Sequence, residues 1–153
     1  MAEVLTGGCQ CGAVRFRAED LGESGVCHCR MCQKAFGSFF APLVTARKVS
    51  WTRGKPSFFQ SSNRARRGFC AKCGTPLYFQ LDDRTEVELA VGAFDDPMAV
   101  APDHQLNPND KLAIYDLLPT LKAAKQAPHD AHNATIVSYQ HPDHDTDRWP
   151  ERV

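Results

Sequence analysis

The chain has no long hydrophobic run, no excess charge of either sign and few segments with helical periodicity. No window approaches the roughly 18 consecutive apolar residues of a membrane helix. Lys plus Arg number 18, as do Asp plus Glu, so the formal net charge is zero. That balance removes the broad attraction on which general nucleic-acid and membrane-surface binders rely. Neither is therefore an expected partner, although the stretch from Asn63 to Arg67 offers a local basic cluster. Residues Met1 to Thr6 lack a basic stretch followed by an apolar one. No secretory leader is expected, and the expected compartment is the cytoplasm, where thiols stay reduced. At 153 residues, the length suits one cored domain and not two.

Cysteine is what the chain does have. Cys9, Cys11, Cys27, Cys29, Cys32, Cys70 and Cys73 number seven, so complete internal disulfide pairing is impossible. Cys9 and Cys11, like Cys27 and Cys29, are one residue apart, an awkward spacing for a bridge to each other. Clustered thiols in a reducing compartment point to bound metal.

The remaining pattern predicts a mainly β domain with knuckle turns. Val14 to Arg17 alternates apolar and charged residues, as a half-buried strand does. Further strands are expected at Phe39–Val44, Val49–Trp51, Phe58–Ser61, Leu77–Leu81 and Val87–Val91, and another at Lys111–Asp116. Residues 18–25 read as a polar loop. Residues 27–34 read as the start of a short helix ending near Gly37. Residues 122–153 read as a loosely packed extension of a domain at 1–121. The extension holds His129, His132, His141 and His144, a weak metal signal that solvated coil also produces.

Cys70-Ala71-Lys72-Cys73-Gly74 has the spacing of a zinc knuckle, with a glycine where the turn needs positive φ. Two further ligands are required, and Cys9-Gln10-Cys11-Gly12 is the natural donor. Four thiolates would close the tetrahedron and make that site structural. Cys27, Cys29 and Cys32 remain. Three sulfurs on one ion leave a fourth position, the arrangement of reactive zinc sites, unless His28 or His104 completes the shell. Placed between two ligands, His28 is expected to point away from the metal and support it from behind.

Three stretches together resemble the glutathione-dependent formaldehyde-activating enzyme family, which includes centromere protein V. They are Gly8-Cys9-Gln10-Cys11-Gly12-Ala13-Val14-Arg15-Phe16, Cys27-His28-Cys29-Arg30-Met31-Cys32-Gln33-Lys34, and Phe69-Cys70-Ala71-Lys72-Cys73-Gly74-Thr75-Pro76-Leu77. Gly92-Ala93-Phe94-Asp95-Asp96-Pro97 extends the likeness, and the extension beyond Leu121 has no counterpart in it. The resemblance implies an Mss4-like fold of antiparallel sheets around zinc. It also implies a structural zinc on Cys9, Cys11, Cys70 and Cys73 and a second zinc on Cys27, Cys29 and Cys32. The implied activity joins glutathione and formaldehyde, a carbon–sulfur lyase reaction run in reverse. A zinc interaction module and a thiol carrier are the alternatives.

If the chain is such an enzyme, Cys27, Cys29 and Cys32 form its catalytic centre and a small thiol is its partner. Glutathione carries two carboxylates, for which Arg30, Lys34 and Arg67 are the expected contacts, with Arg64 and Arg66 also in range. Phe36, Phe39 and Phe40 are expected either to wall the pocket or to pack in the core.

Overall fold

The computed structural model describes residues 3–124 and 132–149. The chain is mainly antiparallel β. Its strands are β1 (Leu5–Gly8), β2 (Arg15–Cys27), β3 (Ala41–Arg53), β4 (Ser57–Ser62), β5 (Ala65–Phe69), β6 (Pro76–Leu81), β7 (Val87–Ala90) and β8 (His104–Leu106). Between β2 and β3 lies the helix α1 (Arg30–Phe36), and a one-turn helix α2 (Ile114–Leu117) follows β8. The sheet order is β1-β2-β3-β7-β6-β5-β4, and β8 pairs with β2 in parallel.

The larger of two core clusters gathers side chains from β2, β3, β6 and β7. Phe16, Leu77 and Leu89 are wholly buried and Val44 nearly so. Phe16 meets Trp51 and Phe94 edge-on, at centroid distances of 5.9 and 5.2 Å. That geometry aligns the positive ring edge with the negative ring face.

The strands expected at 58–61, 77–81 and 87–91 form within a residue of those limits, as β4, β6 and β7. Three expectations are corrected. The polar stretch 18–25 is not a loop but the middle of β2, which bulges between Leu21 and Ser24 and turns through Asp20 at φ 53°. A bulge admits polar residues and glycine without ending the pairing. The expected strands at 39–44 and 49–51 are one continuous strand, β3, paired along β2. Residues 111–116 form no strand; they lead into the turn of α2. Three strands were missed: the short β1 and β8, and β5, which carries Arg66 and Arg67 and read as a basic cluster.

The extension is not loosely packed at its far end. The His141 backbone N–H donates to the Gln10 carbonyl at 2.7 Å, and the His141 ring is buried against Trp149. Arg15, only 3% exposed, pairs in two-pronged fashion with Asp95 at 2.8 and 2.6 Å and also holds Asp145 at 2.8 Å. Arg53 donates to Thr146. Residues 141–146 thus strap across the turn that carries Cys9 and Cys11. A Cβ at Gly12 would lie 2.3 Å from the His141 ring, so the close approach needs glycine there. His129 lies outside the described residues.

Candidate functional site

The four-sulfur cluster is assembled from two turns. In the first, Gly12 N–H donates to Cys9 O at 2.9 Å, and Gly12 adopts φ 70°. In the second, Gly74 N–H donates to Cys70 O at 2.8 Å, with Gly74 at φ 77°. The Gln10 N–H donates to Thr75 Oγ1 at 3.0 Å and ties one turn to the other. All four sulfurs lie within 4.8 Å of one another. Cys9 Sγ is 3.6 Å from Cys11 Sγ, which is 3.8 Å from Cys70 Sγ. A tetrahedral zinc with bonds of about 2.3 Å requires sulfurs about 3.8 Å apart, so this donor set fits the ion.

Burial and hydrogen bonding hold these thiols at different points. Burial pushes the Cys9 thiol up to about 12. Burial also raises Cys73, but hydrogen bonds from Thr75 and Cys11 outweigh it and bring it to about 6. Such crowded sulfurs cannot all ionise without a cation among them.

The three-sulfur cluster sits where β2 ends and α1 begins. Cys29 is the N-cap of α1, accepting from the Cys32 backbone N–H at 3.4 Å. Gly37 closes the helix at φ 58°. The three sulfurs also lie within 4.8 Å of one another. A hydrogen bond from Cys32, reinforced by others from Cys29 and Asn107, draws Cys27 down to about 5. The same Cys27 contact and burial push Cys32 up.

Each of these sulfurs receives one N–H donor. Cys29 has the Cys32 backbone, Cys27 has Asn107 Nδ2 at 3.3 Å, and Cys32 has Arg67 Nη2 at 3.4 Å. Parallel pairing of Cys27 with Leu106 in β8 delivers Asn107, which holds φ 53°. Sequence reasoning missed Asn107. An asparagine, the residue type enriched at positive φ among non-glycines, directly before Pro108 was the available sign.

The cluster opens into a cavity of about 380 Å³ lined by Met31, Leu43, Arg67, Phe79, Glu88 and His104, among others. Burial raises the Glu88 carboxyl above its ordinary range, against the lowering hydrogen bond from Thr45. The structure brings Arg67 to this cavity but places Arg30 and Lys34 in an adjoining hollow with Phe59 and Ser61; Met31 and Arg67 border both. Phe36, Phe39 and Phe40 do not line the cavity. Phe36 packs against both core clusters, Phe40 meets His28 and Tyr115, and Phe39 is exposed.

His28 is fully buried, with Nε2 3.0 Å from Gln105 Oε1 and the ring edge-on to Tyr115. His104 borders the cavity and pairs with Asp103 at 2.8 Å. Neither belongs to a metal-ligating group among the described residues, and both such groups consist of cysteine alone.

Fold and sites together define a mainly β protein with two cysteine clusters able to hold metal, one of four sulfurs and one of three, the latter facing a cavity. Residues 4–109 match the family model described as glutathione-dependent formaldehyde-activating enzyme, and the chain belongs to that family. A crystal structure of a Rhodobacter sphaeroides protein has a similar fold, with a TM-score of 0.54 and 24% identity over 66% of this chain and 99% of that one. No helix among the described residues is long and apolar enough to cross a membrane.

Proposed function

We propose that the chain joins a small thiol, glutathione in the first instance, to formaldehyde, giving S-hydroxymethylglutathione. The observation that carries this is the unequal division of the cysteines. Four sulfurs gather in one group, enough to fill a tetrahedral shell, whereas three converge at the wall of a cavity large enough for a small molecule. Zinc at the three sulfurs would supply the acidity that makes an entering thiol a thiolate at neutral pH.

The chain's own residues hold and shelter this chemistry. Asn107, Arg67 and the Cys32 backbone fix the three sulfurs. Leu43, Phe79 and Leu106 give the cavity a partly apolar lining that limits water. The thiol proton leaves to solvent. The sulfur pair forms the bond to the aldehyde carbon, the carbonyl π pair moves to oxygen, and that oxygen takes up a proton. Glu23, Glu88 and His104 line the cavity and can relay it. The glutathione carboxylates would reach Arg30 and Lys34 in the adjoining hollow, where Arg67 borders both spaces.

The test is the rate of S-hydroxymethylglutathione formation by zinc-loaded protein. It should exceed the uncatalysed addition and fall to it in C29S. A rate equal to background in the unmutated protein would refute the proposal.

A non-catalytic role, as a zinc module that docks a partner, is favoured by one feature. The edge strand β4 presents Phe58 and Phe59 at 58% and 64% exposure. A chain that binds both metals and shows no rate above background would have that role.

A further inference from the structure

Arg67 is 91% buried, being only 9% exposed. Its guanidinium lies 4.9 Å over the Phe79 ring, and its Nε and Nη1 are buried without a partner. Among the described residues its side chain makes one hydrogen bond, Nη2 to Cys32 Sγ, and it pairs with no carboxylate. Arg15 shows the usual solution to the same problem, a buried guanidinium matched by Asp95 and Asp145. Removing a guanidinium from water is costly unless an opposite charge compensates it, and an aromatic face compensates only in part. Among the described residues, the group capable of negative charge that Arg67 contacts is the Cys32 sulfur.

We propose that Arg67 is the counter-ion of the Cys27, Cys29 and Cys32 centre, and that its charge lets a fourth sulfur enter as an anion. This rests on reading those cysteines as ligands of a divalent ion. Three thiolates around a doubly charged ion sum to −1, and a further thiolate would bring the total to −2. A fixed guanidinium 3.4 Å from Cys32 Sγ offsets one of those charges inside a poorly screened site. The Arg67 hydrogen bond also fixes the orientation of the Cys32 sulfur, as outer partners of metal ligands do. Arg67 is thus a positioning residue, and the expected carboxylate contact falls to Arg30 and Lys34.

Full-length protein, R67Q and R67K are compared for zinc stoichiometry, for zinc affinity against a chromophoric chelator, and for binding of 2-mercaptoethanol to the cobalt-substituted centre. R67Q should hold the more labile ion about tenfold or more weakly, as loss of an outer partner does, and leave the tighter ion unchanged. Its half-saturation by 2-mercaptoethanol should rise by a similar factor. R67K keeps the point charge but not the planar fork over Phe79, so it should lose less than R67Q does. A parent chain with a single ion overturns the reading of the centre itself. A parent with two ions and a folded R67Q that matches it overturns the role of Arg67 alone. Should R67Q fail to fold, R67K decides: a loss of less than about tenfold supports the counter-ion, and a loss of about tenfold or more in folded R67K overturns it. Thiol–formaldehyde turnover, measured separately on the parent, can fail without touching this result.

Discussion

Asn107 Nδ2 lies 3.3 Å from Cys27 Sγ, joining residues 80 apart in the chain, and it does so from a left-handed backbone at φ 53° and ψ 53°. Glycine adopts that conformation freely, so N107G removes the amide without straining the turn. The expected outcome is a melting temperature within about 3 °C of the parent and about tenfold weaker zinc retention at the three-sulfur centre. Chelator competition alongside thermal melting checks both. N107A should add a cost of about 1 kcal/mol for the backbone alone.

The two clusters should respond differently to loss of a ligand. Structural zinc contributes on the order of 10–16 kcal/mol of apparent binding energy, as much as a whole domain's stability. C73S should therefore unfold or aggregate. C29S should keep its far-UV circular dichroism and lose one metal ion. Metal analysis of the two purified variants distinguishes them, and a folded C73S would speak against the closed site.

The strap makes a prediction about Arg15. D95N leaves this buried guanidinium with only the half-exposed Asp145 and should cost about 3–5 kcal/mol, the range for an orphaned buried charge. D145N removes a partner that is 38% exposed and solvent-screened, and should cost about 0.5–1 kcal/mol. Urea unfolding of both variants gives the ratio. Equal losses would mean that the strap and the core share Arg15 evenly.

Acid should loosen the same region. Burial, with the Arg15 and Arg53 cations, holds the His141 imidazole below its ordinary range, against the Pro142 carbonyl and Asp95. The unfolded chain therefore takes up this proton first, and the associated stability is lost as pH falls below about 6.5. Burial raises the Asp95 carboxyl, but Arg15 and Thr6 outweigh it and leave it below the usual range. Its contribution survives down to about pH 3.9 and disappears below that. The groups facing His141 are Arg15, Arg53 and Asp95, with Thr146 on its own segment. Between about pH 7.5 and 5.5 the parent should lose more stability than H141Q in zinc-loaded urea melts. Metal loss is common to both and cancels.

Local chemistry was legible in the sequence and distant chemistry was not. The turns at Gly12 and Gly74 and the end of α1 at Gly37 follow from residues within a few positions, and the structure forms them there. The β2 segment was misread because Asp20, Gly22 and Glu23 break the apolar alternation while the ladder to β3 continues through a bulge. Arg67 read as a contact for substrate carboxylates, because only the fold places it against Cys32, 35 residues away. Asp145 gave no sign of meeting Arg15 across 130 residues. His141 read as one histidine of a loosely packed extension, yet it is buried beside Gly12 and bonded to Pro142, Thr146 and Arg53.

Zinc counting during graded chelation probes the division of sulfur most directly. The full-length chain should carry two ions, and a mild chelator should strip one while circular dichroism stays unchanged. A single ion per chain, or two that leave together as the fold collapses, would contradict the account.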